Sequence, residues 1–523
     1  MRNGFRQSMA WLHTWAGLIV GWILFAVFVM GTASYYRADI TRWMQPEPIG
    51  VASEAQALRN AYTRLSTVAP DAPRWFIEMP NREDPRVRIA WQPRDGRFKS
   101  ERLDPASGSP AETRATRGGE FFYRFHFQLY YLNALTGRWI VGACAMTMLV
   151  AMLSGIITHR RIFTDFFTFR AHKDQRSWLD AHNVSAVLAL PFHLMITYSG
   201  LVALMTLLMA LPADAVYKGD RAAYFNEVVD FAPADKAAGR PAPLTALSPL
   251  LVDAQSVWGA GQRPGRIFID NPGDANARVK LTHERDSRIS RAPDNILYDG
   301  VSGKRLSVTP EAGPAGKTYG VMYGLHMAQF AHGPLRLLFF ICGLGGSTMV
   351  ATGLLLWARK HRQQDEARAR KAGRPGHVTF GTRLVENLNV GAVTGLPIAA
   401  AAYLWANRLL PVELAGRANW EINVFFTIWA ACAIHPWLRA PRRAWLEQLV
   451  LAVLAFALVP GLDLLTLGRI PMPAFDAALV GLALLPALAW WHLRRRTPGA
   501  PRGRSAARPR PTSLETADKG GAR

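Results

Sequence analysis

Of the thirteen histidines in this 523-residue chain, His13, His126, His159, His182, His193, His326 and His332 fall inside or beside long apolar stretches of its first two thirds. A buried imidazole in a bilayer has to find a partner, a water or a metal. Two imidazoles from different helices can ligate one haem iron from opposite sides, which makes a low-spin electron carrier whose apolar ring suits a membrane bundle. His182 and His193 are eleven residues apart, about three turns and roughly 16 Å on a helix. One helix thus offers donors at two depths.

The elements that would position these groups are membrane spans. Apolar runs near 15–36, 139–158, 184–211 and 335–357 are each long enough to cross the hydrocarbon core, which takes roughly 20 residues. Four more follow near 390–410, 424–437, 449–467 and 474–491, the sixth span being the shortest. A cleaved leader competes for the first run, since Gly31 to Ser34 resembles a small-residue cleavage site. The repeat described below requires that helix to stay.

The formal charge of +23 is not a nucleic-acid footprint. Its basic residues cluster on alternate loops beside span ends: Arg2 and Arg6, then Arg160, Arg161, Arg170, Lys173 and Arg176, then the run from Arg359 to Arg374. By the positive-inside rule these loops face the cytoplasm. The expectation is a multi-pass bacterial inner-membrane protein with cytoplasmic termini and no nucleic-acid partner. Cys144, Cys342 and Cys432 have no motif spacing and read as small core residues.

The expected organisation is a span over 1–36, an extracytoplasmic α+β domain over 37–137, a span over 138–160, a cytoplasmic loop over 161–180 and a span over 181–211. A second α+β domain (212–333), a fourth span (334–358), a basic linker (359–383), a four-span module (384–493) and a basic tail (494–523) follow. Apolar-polar alternation before Asp-Gly turns predicts strands from Arg86 to Trp91 and from Arg278 to Leu281.

The first four spans form an internal repeat. His13 precedes Gly31 by eighteen residues, and His182 precedes Gly200 by eighteen. His126 precedes Gly155 much as His326 precedes Gly353, with His159 and Trp357 four residues beyond those glycines. The halves run parallel, so the axis relating them lies along the membrane normal.

This topology puts His13, His159 and His182 near the cytoplasmic face, and His126, His326 and His332 near the outer face, with His193 deeper. Two of the first three would hold one haem iron, and His193 with His326 or His126 the other. Without a Cys-x-x-Cys-His motif, the cofactor expected is haem b, two per chain. His172, His283, His361, His377, His435 and His492 read as surface residues.

Leu12 to Leu18 with Gly21-Trp22, Ser154 to Arg161, Phe166 to Arg170, Ser177 to Asn183 and Leu190 to Met195 resemble the PepSY-associated transmembrane family. That resemblance implies a fold: an α-helical polytopic membrane protein with a four-helix haem-binding core of two parallel repeats and two small PepSY-like periplasmic domains. Four C-terminal helices are additional here. It also implies a ferrisiderophore reductase, taking electrons from a cytoplasmic reductant or quinol and releasing Fe(II) from a ferric siderophore. The competing readings are a sensor or binding scaffold and a siderophore transporter component, both without redox activity.

Overall fold

The computed structural model describes residues 4–93, 96–158, 175–208, 214–220, 236–259, 262–284, 288–292, 294–309 and 313–495. His159, most of the expected loop over 161–180 and nearly all of the C-terminal tail lie outside these residues. Five helices are long and apolar enough to cross a membrane, and two bent helix pairs would each do so jointly.

The first repeat begins with α1 (Phe5–Ser34), α2 (Arg37–Met44) and α3 (Glu54–Val68), continues through β1 (Arg74–Glu78), β2 (Val87–Gln92) and β3 (Lys99–Leu103), and ends with α4 (Glu120–Gln128) and α5 (Ala134–Thr158). The second begins with α6 (Gln175–Leu188), α7 (Leu190–Ala203), the short α8 (Met205–Leu208) and α9 (Leu247–Trp258). It continues through β4 (Pro264–Asp270), β5 (Arg278–His283), β6 (Asn295–Asp299) and β7 (Arg305–Val308), and ends with α10 (Pro314–Met327) and α11 (Gly333–Lys371). Helix α1 packs against α5 and α11, α11 against α6, and α7 against α5, closing a four-span ring.

Span one is a single unbroken helix, whereas its counterpart breaks between α6 and α7 with a 66° bend. Pro191 begins α7; with no N–H, it leaves the carbonyl four residues earlier unbonded and favours a kink there.

Where two α+β domains are expected, the structure has one antiparallel sheet, ordered β3-β2-β1-β4-β5-β6-β7. The seam is β1 against β4, with Phe76 opposite Phe268 and Arg74 opposite Asp270. Arg74–Asp270 (2.5 Å) and Arg266–Glu78 (3.2 Å) ion pairs close it. One face buries Leu58, Leu65, Leu250, Leu251, Ile77 and Ile267 in a core with α3 and α9. The Asp turns match: Asp104 accepts from the amides of Ala106 and Ser107, and Asp299 from those of Val301 and Ser302.

The C-terminal module comprises α12 (Phe380–Val393), α13 (Gly395–Leu409), α14 (Arg417–Ile434), α15 (Pro441–Ala457), α16 (Val459–Leu467) and α17 (Pro473–Arg495). Helix α14, the sixth expected span, is not apolar enough to count as a membrane crossing. Arg417, Asn419 and Glu421 occupy its start, which leaves the apolar run too short. The module is fastened to the repeats by buried polar ties. Trp22 donates to Asn389, and Trp43 donates to both Asp463 (3.1 Å) and Asp476 (2.9 Å). Arg408 lies over the Trp43 ring and pairs with Asp463 at 2.7 Å, both side chains fully buried.

Candidate functional site: two histidine pairs

Four of the six candidate histidines meet in two pairs, each drawing one ring from each repeat. On the side away from the sheet, the His13 and His182 ring centres are 6.2 Å apart with their planes at 69°. On the sheet side, His126 and His326 are 5.9 Å apart at 28°.

Each ring is held the same way. As N–H donors, Nδ1 of His13 reaches the Ala151 carbonyl (2.8 Å), that of His182 the Met349 carbonyl (2.9 Å), that of His126 the Val27 carbonyl (2.7 Å) and that of His326 the Ile196 carbonyl (3.1 Å). Every acceptor stands four residues before a glycine: Gly155, Gly353, Gly31 and Gly200. A helix carbonyl already faces the N–H of the residue four positions on. A side chain on that residue would therefore crowd an imidazole that approaches the same carbonyl. A Cβ on Gly31 would stand 2.6 Å from the His126 ring, and one on Gly200, Gly155 or Gly353 would stand 2.9, 3.1 or 3.2 Å from the facing histidine. The glycines are thus seats for the rings.

With Nδ1 carrying the proton, Nε2 is the nitrogen with the lone pair, and the Nδ1 bond fixes the ring's orientation in the manner of a histidine metal ligand. The sheet-side rings are kept neutral. Burial holds His126 below the ordinary imidazole range. Burial and the neighbouring His126 push His326 down to about 3.

The spacing fits a haem. Metal–imidazole bonds are roughly 2 Å, and Nε2 lies about 1 Å from the ring centre, so two imidazoles on one iron put their centres about 6 Å apart. Among the described residues no three His, Cys, Asp or Glu groups converge to hold a bare ion. Two donors per site suit a metal that brings its own equatorial ligands. The anchor points on α1, His13 and Val27, are fourteen residues apart, or about 21 Å of helix rise.

His193 does not sit beside His126 or His326 as a third ring. It is fully buried one turn from Ile196, its Nε2 3.4 Å from the Cys342 carbonyl and its ring edge-on to Phe28. The expectation that it shares the outer site assumes a donor from a spanning helix. Both sheet-side rings instead come from α4 and α10, the short helices that precede spans, while the spans supply glycines. The eighteen-residue step from His13 to Gly31 and from His182 to Gly200 carries that signal. His332 stands at the N-terminal boundary of α11 without a side-chain capping bond, its Nδ1 buried and unbonded. His283, expected at the surface, is buried against Trp258.

A cavity of about 1930 Å³ reaches His126 and His326. Toward the sheet it is lined by Arg37, Tyr123 and Arg336, with Arg37 over Tyr123 and Arg336 paired to Asp39 at 3.0 Å.

Residues 10–360, which hold both pairs and all four glycines, match the family model described as the PepSY-associated TM region. An uncharacterized protein of Pseudomonas aeruginosa is 29% identical over 385 residues, covering 70% of this chain and 93% of that protein.

Proposed function

Because the chain belongs to the PepSY-associated transmembrane family, we propose that its repeated half is a two-haem electron-transfer unit that reduces a ferric chelate of the siderophore class on the sheet side of the bacterial inner membrane. The observation that carries the reading is the equivalence of the two pairs: four imidazoles, two per site, each hydrogen-bonded to a carbonyl before a glycine, at separations that suit one iron between them.

Bound haem b supplies reversible one-electron chemistry at each site. His13 and His182 would hold one haem, and His126 and His326 the other. The Nδ1 bonds fix the imidazole planes, which would limit rearrangement of the ligands on a change of charge. Between the sites the side chains are apolar, Phe28 and Leu24 included, and both line the cavity. On the sheet side, Arg37 and Arg336 are paired with Glu83 and Asp39, and Arg42, Arg82 and Arg138 in the same lining leave the cavity a cationic excess to meet an anionic chelate. Siderophore oxygens are hard ligands that hold Fe(II) far less tightly than Fe(III), so reduction frees the metal.

The test is reduction of a ferric trihydroxamate by the dithionite-reduced, desalted protein in the presence of an Fe(II)-trapping dye. Haem reoxidation matched by dye colour is the expected result. A reduced protein that ignores the chelate would sink the substrate assignment.

A further inference from the structure

The C-terminal module leaves a crevice beside the repeats. Helices α1 and α11 form one wall, with Val29 and Leu355, and α13, α15 and α17 form the other, with Leu404, Leu449, Leu482 and Leu485. Helices α15 and α17 barely touch α1 or α11. The crevice is part of the same cavity that reaches His126 and His326. On α17 it runs from Phe475 to His492, seventeen residues or about 26 Å, close to the depth of a hydrocarbon core.

The two ends differ. Near the sheet it terminates beside the buried Trp43–Arg408–Asp463–Asp476 cluster, whose groups are turned to one another. At the far end it is lined by Arg359, Trp445 and His492. There Thr352 also lines it, and the Thr352 hydroxyl is 3.2 Å from Nδ1 of His182. An apolar slot of membrane depth, with a cationic and aromatic polar end next to the sheet-distal pair, suits a molecule with a long isoprenoid tail and a hydrogen-bonding redox head.

We propose that this crevice is a quinol site, with the quinol head among Arg359, Trp445 and His492 and the tail running toward Phe475. The inference rests on the two-haem reading and names its electron donor. Each quinol breaks two O–H bonds and becomes quinone. Two electrons leave one at a time to two ferric haem equivalents, and two protons leave by way of the His492 imidazole to water.

The test uses the full chain in nanodiscs with a photoreactive azidoquinone, the adducts mapped by mass spectrometry. Adducts concentrated on 445–456 and 475–492 are expected, at least fivefold fewer in Leu485→Trp and Ala489→Trp. Both positions line the crevice and are exposed. A parallel stopped-flow measurement should show haem reduction by decylubiquinol slowed about tenfold in these variants, with reduction by dithionite unchanged. Adducts spread evenly over the outward Leu484 and Leu488 surface, or insensitive to either tryptophan, would overturn the site while leaving a coloured protein intact. A colourless protein that still labels in the crevice would instead overturn the haem reading and keep the quinone site.

Discussion

Both halves of this protein bury polar side chains in apolar helices, but to opposite ends. In the C-terminal module they are turned on one another. Arg408 pairs with Asp463, and Arg417 with Glu421 and the Asn407 carbonyl, with both side chains of each of these two ion pairs fully buried. In the repeats, each of the four paired histidines spends Nδ1 on a carbonyl of a neighbouring helix while the rings face each other about 6 Å apart. Buried polar groups that satisfy one another fasten a structure. Those that converge from opposite walls with one nitrogen anchored make a seat for a metal.

The largest break in this comparison should come from the fastener. Arg408→Met strips the cation from two buried carboxylates, and losing one partner of a buried pair typically costs about 3–5 kcal/mol. Thermal unfolding in detergent should show a Tm drop of many degrees, with two haems per chain retained below the transition. Loss of haem at unchanged Tm would mean that the two halves do not divide their roles this way.

Next in size, Gly31→Val places a side chain where a Cβ already meets the His126 ring at 2.6 Å. The haem count should fall from two to one with a soluble, folded protein. The equivalent change at Gly353, where the Cβ stands 3.2 Å away, should weaken its haem rather than abolish it. Equal effects at the two glycines would contradict the seat geometry.

A smaller effect is expected at His193. The residue at its position in the first repeat is Leu24, eleven after His13 as His193 is eleven after His182. His193→Leu should keep both haems in a pyridine-haemochrome assay. Loss of one would make His193 a ligand after all.

The finest distinction is spectroscopic. The near-perpendicular rings of His13 and His182 and the near-parallel rings of His126 and His326 should give the oxidised protein two unlike low-spin EPR signals. The more anisotropic one should disappear in His13→Ala. A single signal type would show that the two sites do not keep these ring angles.

The repeat was legible in the sequence because it is a matter of spacing, and so were the strands near Val87 and Arg278, which alternate cleanly. The joined sheet was not. The β1–β4 seam pairs residues nearly two hundred apart, such as Arg74 and Asp270, and a strand's pattern tells which face is buried but not which edge is taken. Four of the six candidate histidines meet in the structure, but which of them would pair was not legible. Depth along a span suggested His193, but α4 and α10 fold back on the spans and bring His126 and His326 together from outside them. The burial of His283 escaped because its alternation pattern fits a strand without saying that α9 covers it.

The account stands most directly on the pairing across repeats, and haem counting in the four single variants His13→Ala, His182→Ala, His126→Ala and His326→Ala tests it. Each variant should hold one haem. His13→Ala combined with His182→Ala should lose no more than either alone, and His13→Ala combined with His126→Ala should be colourless. A wild-type chain that binds no haem when haem is supplied during expression, or variants whose losses group by repeat rather than across it, would contradict the account.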